Sequence, residues 1–90
     1  MSVKINIPYV SQYLADGVKV AEVKGSTVGE CLNDLIARYP AIKKALFDDE
    51  DKLLSYAEIY INKESAHPDE LTKPVRDGDE ITIVLMFEGG

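Results

Sequence analysis

An α+β domain, with a mixed four- to five-stranded sheet packed on one main helix, follows from three features of this sequence. Apolar and polar residues alternate near both ends of the chain, as in half-buried strands. One capped, amphipathic helical pattern lies between them. The resulting order of strand, strand, helix, strand, strand leaves the helix only one way to bury its apolar stripe, across one face of a mixed sheet.

The first strand is "VKINI" (3–7), where Val3, Ile5 and Ile7 alternate with Lys4 and Asn6 and Pro8 closes the run. "GVKVAEV" (17–23) follows a turn at Asp16-Gly17 and alternates again, with Val18 and Val20 apolar. A short turn segment between two such runs predicts an antiparallel pair.

"GSTVGECLNDLIARYP" (25–40) is the clearest helix. Thr27 is the expected N-cap, and Glu30 three residues on completes a capping box. Val28, Cys31, Leu32, Leu35, Ile36 and Tyr39 then recur at helical spacing and form one apolar stripe. Pro40 discourages continuation. Cys31 lies within the stripe and reads as a small buried hydrophobe, because no basic neighbour lowers its pKa.

Residues 41–57 hold one short helical turn (Ile42, Leu46, Phe47) and then the acidic run "DDED" (48–51), which reads as a solvated loop lacking EF-hand spacing. "AEIYINKE" (57–64) is a third strand with Ile59 and Ile61 on one face, ending in an Asn-Lys turn. Residues 65–75 are irregular, and His67 there has no partners in sequence for metal binding or catalysis. "RDGDEITIVLMF" (76–87) has a sharp Asp-Gly turn, then Ile81, Ile83, Leu85 and Phe87 alternating with Thr82, Val84 and Met86. A right-handed crossover sets this last strand parallel to the first and in the centre of the sheet. That arrangement is the β-grasp, or ubiquitin-like, fold, over a single domain spanning 1–90.

Composition narrows function. The chain has 90 residues and a net charge of −6, which argues against nucleic-acid binding and favours a basic partner. It has no apolar run long enough for a membrane span, an N-terminus unlike a secretion signal, and one cysteine, so a cytoplasmic location is expected. No nucleophile–base pair, metal cluster or phosphate loop stands out.

The chemistry therefore points to the end of the sequence, "LMFEGG" (85–90). Two glycines in succession at a chain end arise by chance in about 1 chain in 200. Glu88, Gly89 and Gly90 extend at most roughly 10 Å beyond a central strand. Glycine has no Cβ and passes through narrow channels. The reactive group at the tip is a carboxylate, a poor acyl donor until its oxygen becomes a good leaving group, as in an acyl-adenylate.

The sequence resembles the small subunit of molybdopterin synthase and related ubiquitin-like sulfur carriers, including the thiamine-biosynthesis carrier. "STVGECLNDLIARYP" (26–40), "IYINKE" (59–64), "VRDGDEITIVL" (75–85) and Gly89-Gly90 carry the resemblance, in order and over most of the chain. The central segment 41–56 is similar to the longer molybdopterin-type carriers. It implies that a ubiquitin-activating-like adenylyltransferase uses Mg-ATP to adenylate Gly90, and that a sulfur donor converts the adenylate to a thiocarboxylate. A sulfur-accepting synthase large subunit or its equivalent would then take the sulfur. The chain itself would bind no cofactor or metal. It would be a monomer alone and a hetero-oligomer with its partner, a cosubstrate or a non-catalytic subunit of a synthase rather than an enzyme. Gly89 would give access, Phe87 and Glu88 would line the channel entrance, and Thr82, Val84 and Met86 would meet the partner. Where molybdopterin-type members have Pro-Pro-Val and a small residue before the glycines, this chain has "MFE" (86–88). Molybdenum cofactor biosynthesis, with a pterin precursor as the acceptor, is the pathway the resemblance first implies, and that departure keeps cysteine, methionine or thiamine biosynthesis open as alternatives, beside a modifier that forms isopeptide bonds through Gly90.

Overall fold

The computed structural model describes residues 2–86. Its strands are β1 (Val3–Asn6), β2 (Val20–Val23), β3 (Ala57–Ile61), β4 (Glu64–Ser65) and β5 (Glu80–Leu85). The helices are α1 (Val28–Arg38) and the single turn α2 (Lys43–Leu46), with 3-10 segments at Tyr9–Ala15, Pro40–Ile42 and Glu70–Thr72. The strands form one mixed sheet in the order β2-β1-β5-β3-β4. β5 runs parallel to β1 and antiparallel to β3, so the last strand is central as expected.

α1 begins where its capping chemistry says it should. The Thr27 side chain accepts a hydrogen bond from the Glu30 amide at 3.2 Å. Glu30 reaches back to the amide of Ser26 at 2.8 Å, one residue earlier than a standard capping box. Val28, Cys31, Leu32 and Leu35 are fully buried, while Ile36 and Tyr39 are partly so. The stripe packs on Val3, Ile5, Ile59, Ile81 and Ile83, the inward-facing residues of the three central strands. Glycine lets this helix sit close to its neighbours. A Cβ on Gly29 would come within 2.9 Å of the Leu71 carbonyl oxygen.

Two expectations change. The segment between β1 and β2 is a seven-residue 3-10 helix, Tyr9–Ala15, rather than a simple turn. Pro8 accepts from the Ser11 amide to start it, and Asp16 and Gly17 at φ +55° and +81° end it. In β2 the buried residues are Ala21 and Val23, and Val20 is 49% exposed. Pairing decides this phase: Ala21 lies opposite Ile5 and Val23 opposite Val3, both core residues of β1.

The third strand ends at Ile61, in the Asn-Lys turn expected. Asn62 and Lys63, at φ +50° and +74°, make a two-residue hairpin turn into the short β4. The register of β3 on β5 is continuous from Ala57↔Leu85 to Ile61↔Ile81, with no bulge near Val84. Among the described residues no helix is long and apolar enough to cross a membrane.

Candidate functional site at the end of the central strand

β5 is held at both ends. At its start, the Asp79 carboxylate accepts from the Arg76 amide at 2.8 Å and from Asn62 Nδ2 at 2.9 Å. These bonds hold its carboxyl below the ordinary value of 3.8. Asn62 Oδ1 accepts in turn from the Glu80 amide, and the Lys4 amide donates to the Asp79 carbonyl. The Asp-Gly turn, with Gly78 at φ +88°, thus ties β5 to both flanking strands. At its far end, the Met86 amide donates to the Tyr56 carbonyl at 2.7 Å. The strand is thus tied to its neighbours at its start and just past its last residue, Leu85.

Ile81 and Ile83 face α1 and are buried, and Leu85 is half-buried on the same side. Thr82, Val84 and Met86 face away, as expected. Thr82 and Val84 are half-buried and Met86 is 56% exposed. Phe87, Glu88, Gly89 and Gly90, the remaining expected site residues, lie outside the described residues.

The register extends this outer face beyond the residues read from sequence. Val20, Asn6, Thr82 and Tyr60 form one row across four strands. Asn6 Nδ2 bridges Glu80 and Thr82 at 2.9 and 3.0 Å. Glu58 lies opposite Val84, and the Tyr60 hydroxyl reaches Glu58 at 3.3 Å. Toward the start of β5 the face is charged, with Glu22, Lys4 and Glu80 in a row. Toward its end Val84 and Met86 are apolar, with the acidic Glu58 opposite Val84. A surface with this gradient suits a protein that docks beside the strand end, with acidic groups at its rim. Sequence parity pointed to the β5 residues, but Val20, Asn6, Glu58 and Tyr60 join them only through cross-strand pairing.

Other candidate groups do not assemble into a site. Cys31 is fully buried, and burial followed by the charges of Asp34 and Glu30 pushes its thiol up from 9.0, opposite to what a nucleophile needs. Asp48 turns its carboxylate onto the amides of Glu50 and Lys52, at 2.8 and 3.0 Å, so it shapes the acidic loop. His67 sits on an exposed loop, 3.1 Å from Glu70. Among the described residues no group of three or more His, Cys, Asp or Glu is placed to hold a metal.

The described fold is a single sheet-and-helix body whose last strand, β5, is also its central one. The profile described as "ThiS family" matches residues 5–90. A chain of the Amycolatopsis orientalis BexX/CysO complex is 35% identical, with a TM-score of 0.88 over 98% of this chain and 99% of that one. Mycobacterium tuberculosis CysO is 31% identical, with a TM-score of 0.85 over 94% and 99%. SAMP1 from Haloferax volcanii is 25% identical, with a TM-score of 0.87 over the whole of both chains. Comparison with curated protein sequences returned no match. With the family profile covering nearly the whole sequence and full-length likeness to such chains, this protein belongs to the ThiS family of ubiquitin-like sulfur carriers.

Proposed function

We propose that Gly90 is the sulfur-bearing residue. A ubiquitin-activating-like adenylyltransferase binds Mg-ATP, and the Gly90 carboxylate oxygen attacks the α-phosphorus, releasing pyrophosphate. Sulfur at the oxidation level of sulfide then attacks the carbonyl carbon and displaces AMP, leaving a thiocarboxylate. Cofactor and metal belong to that enzyme. This chain supplies the acyl group and the surface that presents it, and it acts as a cosubstrate.

The observation that carries the reading is the family match through Gly90, joined to the central place of β5, whose last residue, Leu85, stands four positions before Gly89 in the sequence. Gly89 gives access where a side chain would obstruct passage. Phe87 and Glu88 line the partner's channel entrance. Thr82, Val84 and Met86 dock beside it. The acceptor is a small molecule held by a second enzyme, with a pterin precursor the first to test. Intact-mass measurement of the protein from its own cell tests the activation step. The expected species has one oxygen replaced by sulfur, and its absence under conditions of sulfur demand refutes the proposal.

A second reading has specific support in the full-length likeness to a chain called a small archaeal modifier protein. In it, the activated Gly90 is captured by a lysine amine and forms an isopeptide bond. The same mass experiment separates the two, because conjugates appear as higher-mass proteins carrying a Gly90–lysine linkage.

A further inference from the structure

The largest exposed aromatic surface of the described residues is not on the sheet. Tyr9 and Tyr13 are 86% and 76% exposed, and Val10 between them is 55% exposed. All three lie on the 3-10 helix Tyr9–Ala15. Topology places this helix at the end of the domain where β5 finishes. β1 and β5 are parallel, with Asn6 opposite Thr82, so both strands run toward the same end. The chain leaves β1 there and enters the helix directly. The helix packs against Pro40–Ile42, and Tyr13 and Leu14 share a shallow groove with Pro40, Ala41 and Lys44.

Adenylation of a C-terminal carboxylate poses a selection problem, because every protein chain carries one. Selectivity must come from the body of the carrier, over surface the enzyme covers while it holds the tip. The length of residues 87–90 limits that surface. Four extended residues span at most about 14 Å. Neighbouring strands lie about 4.8 Å apart, and although Asn6 at the end of β1 lies opposite Thr82, Ile7 and Pro8 carry the chain further along the direction of β5 before Tyr9–Ala15 begins, so the helix starts close to the β5 end on this scale. An enzyme with Gly90 in its active site is thereby held against this end of the domain. Two tyrosines there offer large apolar faces with hydroxyl donors at low conformational cost, the features found at interface anchors.

We infer that Tyr9 and Tyr13 are specificity contacts for the activating adenylyltransferase, seated in an apolar cleft beside its active-site mouth that supplies acceptors for the two hydroxyls. The inference rests on the carrier reading. It adds a second point of attachment, separate from the outer face of β5.

The test is ATP–pyrophosphate exchange by the source cell's adenylyltransferase, with Mg-ATP and the full-length carrier. Wild type is compared with a Tyr9→Ser/Tyr13→Ser double variant, a Tyr9→Phe/Tyr13→Phe variant, and Lys63→Ala at the opposite end of the domain. The serine variant is expected to raise KM for the carrier about tenfold or more with kcat nearly unchanged, the signature of lost docking. The phenylalanine variant should recover most of that loss, and Lys63→Ala should match wild type. An unchanged KM in a serine variant with native circular dichroism overturns the inference and leaves the carrier reading standing. A fall in kcat alone also overturns it. A sedimentation experiment in which wild type dimerises and the serine variant does not, at unchanged KM, assigns the patch to self-association instead. Absence of exchange with wild type overturns the carrier reading and this inference together.

Discussion

Met86→Glu separates folding from partner binding. Met86 follows β5, faces away from α1 and is 56% exposed, and its amide donates to the Tyr56 carbonyl. A side-chain change there leaves that bond intact, so stability should move by no more than about 0.5 kcal/mol. Binding is different. Full burial of a methionine stabilises by about 1.5–3 kcal/mol, and somewhat over half of its surface remains to be covered, leaving roughly 0.8–1.7 kcal/mol to lose. Glutamate adds the cost of desolvating an unpaired charge, two residues along β5 from Val84, which lies opposite the acidic Glu58. Together these exceed about 1.4 kcal/mol, or tenfold in Kd. Calorimetric titration against the cognate adenylyltransferase reads the change directly. An unchanged Kd for a folded Met86→Glu protein would remove the outer face of β5 from the docking surface.

Deleting Gly90 should abolish thiocarboxylate formation without moving the unfolding midpoint, and Gly89→Val should slow it by adding bulk where the tail threads the channel. Retained activation of the deletion variant refutes the assignment of Gly90. Leu35→Ala, at a fully buried position on α1, should cost about 2–5 kcal/mol in denaturant unfolding, and a cost below 1 kcal/mol would contradict the packing described. Gly25→Ala should also destabilise, because its Cβ would come within 2.8 Å of the Cys31 amide nitrogen and of Glu30 Cβ. A melting temperature equal to wild type would show that the chain relaxes there at no cost. The lowered pKa of Asp79 means its stabilising contribution is present above the ordinary carboxylate value of 3.8 and is lost as pH falls through the lower folded value. Asp79→Asn should therefore flatten the acid limb of the stability curve, and an identical acid limb would show that the Asn62 and Arg76 contacts carry no linkage.

Much of this protein is local in origin, and those parts were legible. Thr27, Glu30 and the stripe from Val28 to Tyr39 specify α1 through interactions within four residues, which is why start, face and burial agree with the structure. The alternation from Ile81 to Met86 gave the two faces of β5 for the same reason, since side chains on a strand alternate whatever the partner. The order of elements then left one economical topology, and the parallel β1–β5 pair follows from the handedness of the crossover. The Gly89-Gly90 chemistry was a sequence reading throughout.

Pairing decided the rest. Val18 and Val20 looked like the buried side of the second strand. Only the register with β1 shows that Ala21 and Val23 hold that place, because a shift of one residue exchanges the two faces. The outer face likewise depends on residues far apart in the chain: Asn6 meets Glu80 and Thr82 across 74 and 76 positions. No periodicity in the sequence reports such a contact. Tyr9 and Tyr13 come to the end of the domain toward which β5 runs because β1 and β5 are parallel neighbours, a relation set by the core that Val3, Ile5, Ile81 and Ile83 share beneath α1.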